Sequence, residues 1–424
     1  METTGPQKDD AAEHGDPSQF PSGEEAKFPP MPNIELPTEP KFEPELNPTY
    51  EMYLEKTTEI PEHLNEAKFL SKNLLEHVVV ASYPRSGNSM IRKYLEDITA
   101  TFTGSDFDPR IPMAENLLNH GMQGEFQYDD KLWMVKTHHP IPLPHKQFDG
   151  NKVVLLVRNP LDAFVSTFNF MVTKTFNSSI TDDTFENCRE HFDDFLSKDI
   201  PTWRDYHLYW MDEPTLPTYI VRFEDLLAEP KNTLMDLFRF LLNENDLEGT
   251  LIEALIDRHV ENKNKKQVYK PRKGKANCNQ YLFNDAEIKK IKQEAGQVLK
   301  RLGYVKEDAE SSNTTGYYSD DEDIESSSQY EWDKFTRNGQ EVTVSTRYGY
   351  KELNKMTLDK VCTEEYRNSV KELSSLESMK VNLKEDFLQG RYPGGKGPFF
   401  YFRNVAKTVD ILLPDGTIKK AEES

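Results

Sequence analysis

Val78 to Tyr94, VVVASYPRSGNSMIRKY, reads as a buried strand, a tight loop and the opening of a helix. Val78, Val79 and Val80 form the apolar, β-branched run that a parallel strand covered on both faces needs. Pro84 stops the strand, and Ser86, Gly87, Asn88 and Ser89 follow. These small residues let backbone N–H groups approach a ligand, while the helix they open presents its positive end to an anion. The outline is that of a phosphate cradle. It is not the nucleotide-triphosphatase version, which needs a second Gly followed by Lys and by Ser or Thr to hold magnesium. Here the cation, Arg85, precedes the Gly, and strand, Gly and helix alone fit an ordinary tight turn equally well.

Working outward, each later polar cluster falls where an apolar run ends. A second strand, Leu132 to Val135, ends in KTHHP, and a third, Val153 to Val157, ends in RNPLDAFVSTF with Pro160 placed to start a helix. A fourth, Thr218 to Val221, ends in RFEDLLAEP, and an amphipathic helix follows from Lys231 to about Leu242. Another helix spans about Asp285 to Leu302. In an open parallel sheet the carboxyl ends of the strands form one rim, where such folds bind ligands. The expected fold class is therefore α/β, a parallel sheet flanked by helices with a phosphate loop at its rim.

The 424 residues accommodate one large domain with appendages, and two compact domains would also fit. A net charge of −21 and a pI near 5.0 argue against general nucleic-acid binding, which needs a basic face. Cys188, Cys278 and Cys362 lie far apart and form neither a disulfide framework nor a metal-ligand pair. No apolar run approaches the length of a membrane span, and METTGPQKDD lacks the basic and apolar regions of a signal peptide. A reducing, cytoplasmic location is expected.

Ten of the 26 prolines lie in residues 1–50 among acidic and hydroxyl residues, so 1–49 reads as an extended tail. Residues 50–304 form the domain, 305–330 an acidic linker, and 331–424 a C-terminal extension whose role the sequence does not assign. Within that extension TVDILLPDGTIKKA reads as a hairpin about Asp415-Gly416. Residues 261–275, ENKNKKQVYKPRKGK, gather seven basic residues with one acidic one, either a solvated loop or an anion site. Phe168, Phe170, Trp203, Tyr206 and Trp210 suit helices packing on the sheet, or collectively the wall of an acceptor pocket.

The order YPRSGNS, KTHHP, RNPLDAFVS, RFEDL, RKG resembles the sulfotransferase superfamily over about residues 70–303. That family transfers the sulfonate of 3′-phosphoadenosine 5′-phosphosulfate (PAPS) to an acceptor hydroxyl or amine and needs no metal. The resemblance implies that Arg85, Ser86, Gly87, Asn88, Ser89 and Met90 hold the 5′-phosphosulfate, Arg85 neutralising charge on the bridging oxygen as the sulfonate leaves. It makes Lys136 and His138 catalytic, His138 being the general base, a task worth roughly 10²–10⁴-fold. Arg158 and Ser166 would clamp the 3′-phosphate, Arg272, Lys273 and Gly274 would fold over it, and Phe223 would contact the nucleotide.

Several positions depart from the family pattern. Arg85 stands where soluble members usually carry Lys, Met90 where an adenine-stacking Trp is common, and Phe223 where a Tyr is common. After RKG the sequence KANCNQYLFN lacks the usual dimerisation pattern. Two other readings compete. One is a sulfotransferase-fold scaffold without activity whose tails bind partner proteins; a segment threaded through the cleft would favour it. The other is a nucleotide kinase, for which Arg92 and Lys93 lie too far along the helix. The acceptor is not legible.

Overall fold

The computed structural model describes residues 48–73, 75–107, 117–118, 121–141, 146–173, 175, 178–212, 215–262, 276–305 and 349–381, and the backbone alone of 332–337, 340–345, 411–412 and 418–419. The N-terminal tail, the basic cluster from 263 to 275, the acidic linker and the turn at Asp415-Gly416 lie outside the described residues.

In chain order the first half comprises α1 (Tyr50–Leu54), β1 (Val78–Ser82), α2 (Asn88–Thr99), β2 (Gly104–Ser105), β3 (Met134–Thr137), β4 (Phe148–Gly150), β5 (Lys152–Val157), α3 (Pro160–Thr173), β6 (Ser179–Ile180), α4 (Asp182–Asn187) and α5 (Arg189–Asp212). The rest comprises β7 (Thr218–Arg222), α6 (Phe223–Ala228), α7 (Pro230–Leu242), α8 (Leu251–Asn262), α9 (Asp285–Arg301), β8 (Trp332–Arg337), β9 (Gln340–Ser345), α10 (Tyr350–Val361), α11 (Glu364–Lys371), β10 (Met379–Val381), β11 (Ile411–Leu412) and β12 (Ile418–Lys419).

The central sheet runs β2-β3-β1-β5-β7 and is parallel throughout, as expected from the continuous apolar strands. Val79, Ala81, Val135, Val153, Leu155 and Val157 pack on the face shared with α3 and α5. Val78, Val80, Met134, Val154, Leu156 and Val221 pack on the opposite face with α2, α7 and α8. β3 extends two residues beyond the expected Val135, because Lys136 and Thr137 still pair with Val80 and Ala81 of β1. Polar side chains are tolerated there because both find partners at the rim.

α10 covers the free edge of β7. Its Asn354 accepts from the Ile220 N–H at 2.7 Å and donates to the Ile220 carbonyl at 2.8 Å, and Thr357 donates to the Thr218 carbonyl at 2.9 Å. A side-chain amide thus substitutes for the next strand. At the amino ends of the central strands β1 and β5, Tyr366 from α11 and Tyr50 from α1 both donate to Glu76, which pairs with Lys152 at 2.7 Å. β10 then pairs antiparallel with β4. β11 and β12 pair with each other, and β11 also pairs with β6.

Candidate active site

The rim is built around Gly87, which precedes α2 with φ +98°, a left-handed conformation that favours glycine. A Cβ there would lie 2.5 Å from the Phe223 ring, so glycine alone lets that ring rest against the loop. Arg158 stacks on Phe223, its guanidinium carbon 4.5 Å from the ring centre. The same guanidinium donates to the Arg85 carbonyl at 2.9 Å. Arg85, itself at φ +65°, donates from Nε to the Ser166 hydroxyl at 3.3 Å and lies 5.1 Å from the Phe170 ring. Arg85, Gly87, Arg158, Ser166 and Phe223, spread over more than 130 residues, therefore meet in one contact chain.

Ser86 Oγ, Asn88 Oδ1 and Arg158 Nε are buried without a hydrogen-bond partner among the described residues. An unmet buried polar atom costs about 1–3 kcal/mol, so a ligand that satisfies it gains accordingly. Two of the three can donate, which suits an anion. Ser89 is half-buried, whereas Met90 is buried in the apolar cluster on the α2 side, which also contains Phe223.

His138 follows β3. Its Nδ1 lies 2.5 Å from the Ser82 carbonyl oxygen, and a carbonyl can only accept. Nδ1 therefore carries the proton and Nε2 keeps its lone pair, the tautomer that can take a proton there. His139, although adjacent, goes elsewhere: its Nε2 meets the Tyr209 hydroxyl at 3.1 Å, and its carbonyl accepts from Trp210 at 2.7 Å.

Lys136 shares the sheet face of Met134 and points toward α2 and the turn 121–126 rather than toward solvent. Its ammonium sits 3.7 Å from the centre of the Phe107 ring and 3.9 Å from Glu125 Oε1. Burial pushes Lys136 down to about 8, against the opposing pull of Glu125. Burial likewise works against the Glu125 charge, but Arg92 and Lys136 outweigh it and hold that carboxyl below its ordinary range.

A second clamp stands behind Arg158. Asp162, fully buried in the first turn of α3, accepts from the backbone N–H groups of Asn277 and Asn279 at 2.7 and 3.1 Å and lies 3.8 Å from Arg158. Asn159 adds a bond to the Asn277 side chain at 2.7 Å. This fastens the chain just after Arg272, Lys273 and Gly274 to the rim, although those three lie outside the described residues.

Of the aromatic residues on α3 and α5, Phe168, Trp203, Tyr206 and Trp210 are buried in the core, as helix packing requires. Phe170 instead faces Arg85. Glu125, Arg92 and Asp162 were missed as site residues. Arg92 follows Ile91 in the apolar stripe of α2, and Asp162 follows a helix-starting Pro, signals that a charge is buried or capping. Glu125 carries no local signal. Among the described residues no group of three or more His, Cys, Asp or Glu is placed to hold a metal ion, and no helix is long and apolar enough to cross a membrane.

Comparison with known proteins matches the chain to a family model and to named relatives. The profile described as sulfotransferase domain matches residues 75–302, more than half of the chain. Sulfotransferase 6B1 of Danio rerio is 28% identical over 217 residues, 48% of this chain and 70% of the relative. A WSCD family member of Aedes aegypti is 26% identical over 178 residues, 42% of this chain, and the match spans only 54% of that relative. A crystal structure of mouse sulfotransferase SULT7A1 complexed with PAP aligns over 54% of this chain and 94% of its own, with 18% identity and a TM-score of 0.35.

Proposed function

This chain belongs to the sulfotransferase domain family, and on that premise we propose that it transfers the sulfonate of PAPS to an acceptor hydroxyl or amine. The observation that carries the reading is the loop at Gly87. There Ser86 Oγ and Arg158 Nε are buried without partners beside a ring, Phe223, that a nucleotide can use. Such groups gain most from an anion that fills them.

On this reading His138 takes the acceptor proton at Nε2 as the acceptor oxygen or nitrogen bonds to sulfur, while Ser82 holds the ring through Nδ1. Arg85 and Lys136 balance the charge that grows on the phosphate oxygen as its bond to sulfur breaks. Both cations are held in advance, Arg85 by Ser166 and Lys136 by Glu125 and Phe107, so little reorganisation accompanies the transfer. Arg158 and Ser166 take the 3′-phosphate, with Arg272, Lys273 and Gly274 closing over it from the segment that Asp162 fastens. A cytoplasmic location belongs to the same reading.

The scaffold reading expects a segment lying through the cleft. The N-terminal tail and the Arg272 loop, the segments that would do so, lie outside the described residues; the described α10 and α11 contact the edge of β7 and Glu76.

Isothermal titration with 3′-phosphoadenosine 5′-phosphate (PAP) tests the proposal. Micromolar binding that survives His138→Ala and collapses with Arg158→Ala is expected, followed by an acceptor screen with labelled PAPS. A folded wild-type protein that binds no nucleotide would sink the reading.

A further inference from the structure

Lys136 is 4% exposed, and among the described residues its ammonium makes no hydrogen bond. Its two contacts are Glu125 Oε1 at 3.9 Å and the face of Phe107 at 3.7 Å. Neither commits an N–H at hydrogen-bond length, so the donors remain available to an arriving anion.

Glu125 is fixed from behind. Its other oxygen accepts from Arg92 Nη1 at 2.7 Å, and both side chains are fully buried. Arg92 in turn donates from Nε to the Thr103 hydroxyl and from Nη2 to the Thr103 carbonyl, each at 2.9 Å. The Thr103 hydroxyl in turn donates to Glu96 Oε1 at 2.8 Å. A guanidinium stays charged at any relevant pH, so Glu125 is held as a carboxylate of fixed place. The charged groups facing Lys136 are Glu125 from the turn 121–126, Asp106 from the segment after β2, Arg92 from α2 and Arg85 from the loop. Two favour its ammonium and two oppose it, and burial opposes it further.

We propose that Glu125, locked by Arg92, is the positioning residue for Lys136: it keeps the amine at the rim with its donors uncommitted, and an arriving phosphate or phosphosulfate anion draws a solvent proton onto it. The inference rests on the sulfonate-transfer reading of the site and adds to it a proton-coupled capture of the nucleotide. In the free protein burial pushes the Lys136 amine down to about 8. A bound anion raises that value, so protons are taken up on binding above about pH 7.5 and not at lower pH. Removing the Glu125 charge lowers the titration of the free state, so uptake then begins at lower pH.

Isothermal titration of the full-length protein with PAP, in two buffers of different ionisation enthalpy across about pH 6.5 to 9, counts these protons. Relative to Lys136→Arg, which shares the protons that the nucleotide's phosphates release near their second pKa of about 6, the wild type is expected to take up most of one additional proton per nucleotide at about pH 8.5 and almost none at about pH 6.5. Glu125→Gln keeps an acceptor for Arg92 and is expected to move the uptake curve down by about one pH unit. Lys136→Arg is expected to lose that additional uptake while retaining nucleotide binding, because a guanidinium stays charged throughout the range. Uptake in Lys136→Arg equal to that of the wild type, or a Glu125→Gln curve that superimposes on the wild type, overturns the proposal. Should Glu125→Gln fail to fold, the wild type and Lys136→Arg decide alone. Nucleotide binding without the additional uptake overturns this inference only, whereas no binding by folded wild type removes the transfer reading and this inference with it.

Discussion

The carbonyl oxygen of Ser82, last residue of β1, lies 2.5 Å from Nδ1 of His138, which follows β3. Adjacent parallel strands end side by side, so the backbone of one selects the tautomer of a ring carried by the other. His138→Ala is accordingly expected to lower the transfer rate about 10²–10⁴-fold while leaving nucleotide affinity within about twofold, since the proposed role of the ring is to take the acceptor's proton and not to hold the nucleotide. Single-turnover rates with labelled PAPS, set beside titration with PAP, separate the two. Affinity falling in step with rate would remove the general-base role.

Gly87→Ala tests the cradle. The substitution meets a left-handed backbone at φ +98° and the Phe223 ring at 2.5 Å, together costing about 1–3 kcal/mol of stability. Nucleotide binding is expected to fall more than about tenfold as the loop shifts. The double variant Gly87→Ala with Phe223→Ala relieves the clash but not the backbone, so chemical denaturation should show less than additive losses. Strict additivity would mean that ring and loop do not press on each other.

His207 predicts an acid limit to stability. It is fully buried, and burial pushes its imidazole down to about 4, against a smaller upward pull from the Trp203 carbonyl that its Nδ1 meets at 2.7 Å. The unfolded chain therefore binds a proton that the folded chain refuses between about pH 6.5 and about pH 4. Folding stability is complete above that window and falls as pH drops through it, by up to about 1.4 kcal/mol per unit from this group. Denaturation midpoints measured across the window should show the slope, and His207→Phe should flatten it. An unchanged slope in that variant would assign the acid sensitivity to other groups.

Asn354→Leu tests the covered edge. Leucine fills similar space but leaves the Ile220 N–H and carbonyl without their side-chain partner, a loss of about 1–3 kcal/mol. Exposure of the β7 edge should also promote association, visible as concentration-dependent light scattering. Wild-type stability in the variant would show that α10 covers the strand without supporting it.

Much of the fold was legible because its cues are local. Val78 to Val80 and Val153 to Val157 announce strands covered on both faces, and a polar cluster after each announces the rim where α/β sheets place ligands. The strand β3, which lies between β2 and β1, reads two residues short in the sequence because Lys136 and Thr137 look like loop until their partners are known. The aromatic residues of α5 could be read as pocket or core, and only packing assigned Trp203, Tyr206 and Trp210 to the core.

By itself the sequence determined the α/β class, the tight loop between β1 and α2 and the order of the polar clusters, since apolar runs, prolines and glycines act on their own neighbourhoods. Tertiary structure alone decided that Glu125 stands behind Lys136 with Arg92 locking it, that Asp162 holds Asn277 and Asn279, and that Asn354 completes the edge of β7. These partners are 11 to 134 positions apart. Strand order and helix packing bring them together, and what binds them is the high cost of leaving a charge or a backbone group buried and unmet. That cost is invisible until burial itself is known.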